Sequence, residues 1–248
     1  MKKFFMFFMT VFACGFLSAS DIWETLEETD TNGVISEKHT VISENSMKVT
    51  NISPNNHIET MIDLNADTIT YISHKHKTYQ VIKLSKYVEF AVQLGKDIMA
   101  QSAKFDADKA LPKVTFEKQG TETVGKWNCE VWAVSLDGKP YSTVWLATGL
   151  KNQQVIDFKK KFTAVIPEAL LKYRSVDAQI DDNFIDKGTI VKSFKFSQNK
   201  KMPTVITTVR EFKKSDIKKL SLTIPANYVD KSTPETGQQQ SQSQQQKK

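Results

Sequence analysis

Residues 61–82 read MIDLNADTITYISHKHKTYQVI, and they decide the fold class because they alternate strand patterns with short turns. In the segment TITYIS (68–73), Ile69 and Tyr71 fall on one face of an extended chain. Another extended run, 78–84, returns after the short link HKHK. Strands joined by such short links pair antiparallel, because a parallel pair needs a long crossover. The segment therefore predicts an antiparallel meander.

The same extended pattern continues on both sides of this segment. We predict further strands over 34–42, 46–52, 57–64, 113–120, 125–136, 141–148, 189–197 and 204–212. Two stretches, from Leu84 to Met99 and from Val155 to Ile166, instead repeat apolar residues every three or four positions. That spacing is typical of a helix with one buried face. The predicted class is α+β, a mostly antiparallel sheet with two main helices packed on one face.

The first twenty residues have the layout of a secretory signal peptide. Lys2 and Lys3 precede an apolar run, and small residues follow up to Ser20. We expect cleavage near Ser20 and export to the periplasm or another exported location. A competing interpretation is a lipoprotein anchored at Cys14, since the preceding residues resemble a lipobox. Phe12 fits that motif poorly, so we favour the cleaved signal peptide.

Residues 21–231 are predicted to form a single domain. The chain has 248 residues, 40% of them hydrophobic, which is enough for one substantial core. Beyond the leader no apolar stretch is long enough to cross a bilayer, so we expect no transmembrane segment in the mature chain. The tail 232–248 is rich in glutamine and serine, and we expect it to be disordered.

Charge is distributed unevenly along the chain. Residues 21–80 carry ten acidic and four basic residues, whereas residues 151–219 carry sixteen basic and eight acidic ones. The basic stretch predicts a solubilising surface or a face for an anionic or acidic partner. A nucleic-acid partner is excluded, because the chain is expected to be exported and has only Arg174 and Arg210 as arginines.

Cys129 stands in WNCEVW (127–132) and is the only cysteine after Cys14. A catalytic cysteine needs a histidine that lowers its pKa, and none of the four histidines stands in a recognisable partner motif. On a strand, Cys129 shares a face with Trp127 and Val131. We therefore predict that Cys129 is a buried, unreactive part of a wall.

Other chemical motifs are weak. His74 and His76 are two residues apart and would hold a metal only with a third ligand, while Lys75 and Lys77 oppose a cation there. We interpret this segment as a solvated hairpin tip and predict no metal site. The pair Asp181-Asp182 falls in a stretch interpreted as a loop. The sequence contains no glycine-rich phosphate loop, serine elbow or HExxH pair, so we predict a protein without cofactor or enzymatic activity.

Four stretches together resemble the exported bacterial family catalogued as domain of unknown function 4412. They are MIDLNADTITYISHKHKTYQVI, TETVGKWNCEVWAVSLDGKP, TVWLATG and LTIPANYVD, within about residues 34 to 229. The resemblance implies a single curved, mostly antiparallel sheet, a half-barrel wrapped around two main helices. Such a fold is similar to the periplasmic lipoprotein carriers of the LolA and LolB type, which hold acyl chains between sheet and helices. It carries over no functional residue.

Two functions are therefore expected. The first is a binding protein that holds a lipid or another apolar or amphiphilic ligand between sheet and helices. The second is a ligand-free structural module that docks an envelope protein through a sheet edge or a basic face. The predicted cavity lining consists of Tyr87, Phe90, Met99, Trp127, Cys129, Val131, Trp145, Phe158 and Phe162.

Overall fold

The computed structural model describes residues 22–89, 113–166, 175–196 and 204–232. Their twelve strands form one open sheet in the order β12-β6-β5-β4-β3-β2-β1-β11-β10-β9-β8-β7. All neighbours pair antiparallel except β12 and β6, which are parallel. The strands are β1 Ile22–Thr31, β2 Val34–Ile42, β3 Ser46–Ser53, β4 Asn56–Asp63, β5 Thr68–Ser73, β6 Thr78–Lys83, β7 Val114–Val124, β8 Trp127–Leu136, β9 Lys139–Ala147, β10 Thr189–Lys195, β11 Val205–Ser215 and β12 Val229–Asp230.

The first strand was not predicted, because β1 carries four acidic residues among its ten. The structure explains how it forms. Lys38 Nζ lies 3.0 Å from Glu27 Oε2, and Arg210 Nη2 lies 2.6 Å from Glu28 Oε1. These cations stand on β2 and β11, the two neighbours of β1, so opposite charges face each other across the ladder.

Two α-helices are described in full, α1 Gln153–Ala164 and α2 Val176–Phe184, and Ile217–Leu220 form a short 3-10 helix. Residues 84–89 are also helical, and the remainder of the helix predicted up to Met99 lies outside the described residues. The interpretation of Asp181-Asp182 as part of a loop is wrong, since both lie in α2. The helix was missed because it is short and has few apolar residues to mark its buried face.

The helices pack against one face of the sheet, called here the helix face. On the meander side, Phe158 of α1 joins buried residues from β2, β4 and β5, and Leu84 completes this cluster. On the other side, Ile180 and Phe184 of α2 pack against buried residues of β8 and β9. A single antiparallel sheet with helices is therefore confirmed, while its wrapping around two main helices as a half-barrel stays a prediction.

Residues 216–232, called here the C-terminal strap, cross the opposite face of the sheet, called here the strap face. Leu220 packs with Ile22 and Val41 in a small buried cluster. Further along, the strap adds β12 to the free edge of β6. Ser232, the first residue of the predicted tail, accepts a hydrogen bond of 2.8 Å from the backbone N–H of Val81.

Several predictions concern residues outside the described ranges. They are the signal peptide 1–20, the lipoprotein anchor at Cys14, the lining residues Phe90 and Met99, and the tail after Ser232. Among the helices that the structure describes, none is long and apolar enough to cross a membrane.

Candidate functional site: a two-part cavity

A cavity of about 420 Å³ lies between the two helices and the middle of the helix face. Strands β1, β2, β3 and β11 form its floor, and α1 and α2 contribute its walls. Most of its lining is apolar, including Ile42, Met47, Phe158, Phe162 and Phe184. Its volume falls in the range of roughly 300–1,000 Å³ that small-molecule pockets occupy.

Local sequence explains how α1 presents its aromatic residues. The Asn152 side chain accepts hydrogen bonds from the backbone N–H groups of Gln154 and Val155, at 3.0 and 3.3 Å, which starts the helix. From Val155 onward, the spacing of three and four residues places Phe158 and Phe162 on the same helix face. Their rings stack with centroids 6.0 Å apart, and both line the cavity.

A second cavity of about 250 Å³ adjoins the first, and its lining is more polar. Glu27, Lys38 and Asp181 belong to the walls of both cavities. The smaller cavity also has Asp177, Lys192 and Lys195 in its lining, and these three do not line the larger one. The two hollows are therefore the apolar and the polar part of one site, which we call the two-part cavity.

Ion pairs balance the charges in the polar part. Lys38 Nζ lies 3.0 Å from Glu27 Oε2, and Lys195 Nζ lies 2.6 Å from Asp177 Oδ2. Burial raises the pKa of Asp181, and the nearby Lys159 and Lys38 only partly offset this effect. Asp181 is therefore easier to protonate than an ordinary aspartate, and its protonated carboxyl group is a hydrogen-bond donor.

Two buried hydroxyl groups in the walls lack partners. Thr40 Oγ1 lines the apolar part and Ser142 Oγ lines the polar part, and neither has a hydrogen bond within the described part of the chain. A buried hydroxyl without a partner costs about 1–3 kcal/mol, so such groups usually have one. A ligand with a polar group could supply it at both places.

The structure places the predicted lining residues in three regions. Phe158 and Phe162 line the apolar part of the cavity. Tyr87 packs beside Tyr71, with ring centroids 6.2 Å apart, at the meander end of the helix face. The remaining four, Trp127, Cys129, Val131 and Trp145, belong to β8 and β9.

Three of these four pack together away from the lining of the two-part cavity. Cys129 is buried, and Trp127 and Trp145 pack against its cluster. Trp127 also borders a separate hollow of about 400 Å³ beside Lys126 and Arg210. Val131 pairs with Trp145 across the β8–β9 ladder.

Cys129 is 2% exposed, as the sequence predicted. Burial raises the pKa of its thiol, so the reactive thiolate is disfavoured. Its Sγ lies 3.4 Å from the carbonyl oxygen of Trp127, to which it donates. The environment is that of a packed interior cysteine.

The polar residues of the two-part cavity were not identified from the sequence. Lys38 meets Glu27 because their strands pair in that register, and Asp181 arrives on a helix that was not predicted. One signal was available: Val176, Ile180 and Phe184 recur at four-residue steps, which places Asp177 and Asp181 together on a neighbouring stripe.

The fold and the site together define an α+β protein with one open antiparallel sheet and a two-part cavity under its helices. The family catalogued as domain of unknown function (DUF4412) matches residues 25–228, and the chain belongs to that family. The resemblance noted from the sequence is thereby confirmed. A comparison with curated proteins found no match.

Several solved structures are similar over most of this chain. An uncharacterized conserved protein from Thermus thermophilus has a TM-score of 0.47 at 8% identity, covering 87% of this chain and 93% of its own. The Pseudomonas aeruginosa MucA/MucB complex gives 0.40 at 11% identity, covering 82% and 56%. The LolA superfamily protein NE2245 from Nitrosomonas europaea gives 0.30 at 8% identity, covering 84% and 92%.

Proposed function

We propose that this protein binds an amphiphile, with its apolar tail in the larger part of the cavity and its polar head in the smaller part. One observation carries the proposal: a mostly apolar hollow and an adjoining hollow of more polar lining share a wall formed by Glu27, Lys38 and Asp181. A purely apolar ligand would leave the polar part unused, and a purely polar one would face Phe158 and Phe162.

The charge of the polar part favours an uncharged or zwitterionic head. Lys38 and Lys195 are already paired with carboxylates, and Lys192 lies over the Trp145 ring, 4.2 Å from its centroid. Two of the three lysines that line the polar part are thus neutralised by carboxylates, which leaves little positive charge for a strongly anionic head. The hydroxyl group of Ser142, which lines the polar part, is available to such a head as a neutral hydrogen-bond partner.

In this proposal, the protein is exported and acts by binding rather than by catalysis. The layout of residues 1–20 supports export. The burial and the raised pKa of Cys129 support a role without nucleophilic chemistry, since a catalytic thiol needs the opposite environment.

A docking module is the alternative, and the accessible sheet edge does not favour it. Strand β7 forms one end of the sheet, carries Glu117, Lys118 and Glu122, and has a bulge between Lys118 and Gly120. Charges and bulges on an edge strand oppose pairing with a further strand. The cavity is therefore the stronger basis for a function.

Native mass spectrometry of the protein purified from its own cell envelope tests the proposal directly. We expect a co-purified amphiphile with a neutral or zwitterionic head. Its displacement by an environment-sensitive apolar dye, or by a fatty acid, then gives an affinity. An unoccupied protein that binds neither probe would overturn the proposal and leave the docking module as the better explanation.

Matched variants locate the binding site. Phe162→Leu reshapes the apolar part and should weaken binding of the dye several-fold. Phe116→Leu is the control, because Phe116 packs on Phe184 from the same face of the sheet but does not line the cavity. Ser142→Ala nearly keeps the shape of the polar part and removes its buried hydroxyl group, so it should weaken the binding of ligands with a polar head.

A further inference from the structure

A second cluster of side chains lies on the strap face, away from the two-part cavity. His57 and Glu59 stand on β4, and His74 follows the end of β5. The backbone N–H of His74 donates to the carbonyl oxygen of His57 at 3.0 Å, so the two histidines face each other across the ladder. One ligand atom from each of the three residues lies within 4.8 Å of the others.

The spacing within this cluster fits a tetrahedral metal ion. His74 Nε2 and Glu59 Oε1 are 3.2 Å apart. A zinc ion with bonds of about 2.0–2.2 Å holds two tetrahedral ligand atoms roughly 3.3 Å apart, so this pair already has the required separation. The His57 ring stacks on the His74 ring at 4.1 Å, and a ligand nitrogen of His57 lies within 4.8 Å of the ligand atoms of Glu59 and His74.

The surroundings of His74 also resemble those of a metal ligand. Its Nδ1 lies 2.8 Å from the hydroxyl oxygen of Tyr228, which belongs to the C-terminal strap. An imidazole that binds metal through Nε2 keeps its proton on Nδ1, and a fixed acceptor for that proton orients the ring.

One cation opposes metal binding. Lys48 Nζ lies 4.0 Å from Glu59 Oε2, the carboxylate oxygen that does not face His74. Lys48 also donates to the carbonyl oxygen of Ser221 at 3.0 Å, so it is held near the site by the strap. Its charge reduces the affinity for a second cation without occupying the oxygen that faces His74.

We propose that His57, Glu59 and His74 form a site for Zn²⁺ or a similar divalent transition-metal ion. Two histidines and a glutamate are a known zinc ligand set, with water in the fourth position. The ion would link β4 to the turn after β5 and, through Tyr228, to the C-terminal strap. This site is separate from the proposed amphiphile site and does not depend on it.

Isothermal titration of the full-length, tag-free, chelator-treated protein with ZnCl₂ tests the site. We expect one equivalent to bind and the melting temperature to rise with added Zn²⁺. Co²⁺ in place of Zn²⁺ should give the intense visible absorption of a tetrahedral site. Binding that is absent up to hundreds of micromolar Zn²⁺ would overturn the proposal.

Variants distinguish this site from Zn²⁺ binding by exposed histidines of the turn alone. His57→Gln and Glu59→Gln should each weaken Zn²⁺ binding by more than about 10-fold, since even outer partners of metal ligands contribute that much. His76→Gln is the matched control, because His76 is exposed in the same turn as His74 and should leave binding unchanged. Loss of binding in His76→Gln but not in His57→Gln would assign the ion to the turn alone and contradict the proposal.

A gain of affinity gives a result that misfolding cannot imitate. Lys48→Met removes the opposing charge and should tighten Zn²⁺ binding several-fold, whereas an unchanged or weaker affinity would count against the site. Tyr228→Phe should weaken binding by about 10-fold, because the Nδ1 proton of His74 loses its acceptor. Melting curves without metal show whether each variant is folded.

Discussion

The helix face and the strap face of this sheet are covered in different ways. On the helix face, aromatic and aliphatic side chains such as Phe158 and Phe184 fill most of the space and leave the two-part cavity. On the strap face, a short segment without long helices is attached mainly through polar contacts to Glu24, Lys48 and His74. One face is held by packing and the other largely by hydrogen bonds and charge.

Glu24 is the centre of attachment on the strap face. Its side chain is 7% exposed, and it accepts from Lys219 Nζ at 2.6 Å and from Ser215 Oγ at 2.8 Å. His39 Nε2 lies 2.5 Å from its other oxygen. Burial alone would raise the pKa of Glu24, but these three partners outweigh it and lower the pKa from 4.5 to about 2. Apolar packing on the helix face and the paired, buried charge of Glu24 on the strap face therefore both attach a covering segment to the sheet.

The largest effect is expected from the helix face. Phe184 is 1% exposed and contacts both Phe116 and Trp132 edge to face, so Phe184→Ala should cost about 3–5 kcal/mol of unfolding free energy. Denaturant unfolding at neutral pH measures it. The control Phe196→Ala removes a ring that is 39% exposed and should cost about 1 kcal/mol or less. Equal costs would mean that α2 does not hold the helix face.

The second-largest effect on stability is expected from the buried charge of Glu24 on the strap face. Glu24→Gln should destabilise the fold by about 3 kcal/mol, because the pKa of Glu24 falls from 4.5 to about 2 on folding. Glu28→Gln is the matched control on the same strand, since its pair with Arg210 is more exposed and should contribute about 0.5 kcal/mol or less. A small loss in Glu24→Gln would show that the strap is held by its apolar contacts.

The loss of stability in Glu24→Gln should also depend on pH. A folded-state pKa below the unfolded value stabilises the protein above about pH 4.5, and this stabilisation is lost as the pH falls towards about 2. The difference between wild type and Glu24→Gln should therefore shrink over this window, while the loss in Phe184→Ala should persist. If the stability losses in both variants changed with pH in the same way, the strap face would not depend on charge more than the helix face does.

A smaller effect is expected for Cys129. Cys129→Ser should cost about 1–3 kcal/mol, because it buries a hydroxyl group without an assured partner, and Cys129→Ala should cost less. A thiol reagent should label the native wild-type protein slowly and the denatured protein fast. Fast labelling of the native state would contradict its burial.

The smallest effect is expected beyond the strap. Deleting residues 233–248 should leave the melting temperature nearly unchanged, because this segment has no apolar residue that could repay the entropy of ordering. The deletion retains Ser232, whose hydroxyl group accepts from Val81. A drop of several degrees would show that the strap continues past Ser232.

Local patterns predicted the meander well. The strands 34–42 and 68–73 have the bounds that the sequence indicated, since alternation and adjacent turns specify them without distant partners. Strand β1 was missed because its acidic residues are acceptable only beside Lys38 on β2 and Arg210 on β11, and Arg210 is far along the chain. The short helix α2 gave too weak a periodic signal.

In both candidate sites, the sequence predicted residues that a local pattern marks and missed residues that only the fold brings together. Phe158 and Phe162 were predicted because a helical stripe is visible in the sequence. The pairing of Glu27 with Lys38 in the cavity wall and that of His57 with His74 were not predicted, because both depend on strand register, and Asp181 was missed together with its helix. The sequence pairs His74 with His76 by spacing, whereas the fold places His57 opposite it. Residues that meet through register are invisible to spacing alone.

The pairing of β1 with β11 affects the order of events during synthesis. Thr29 and Thr207 share a hydrogen bond across 178 positions of sequence. At about 5–20 residues per second, β11 would leave the ribosome about 10–35 s after β1. During that interval the N-terminal hairpin presents an unsatisfied backbone edge, which favours aggregation. The topology thus delays completion of the sheet until nearly the whole chain is available.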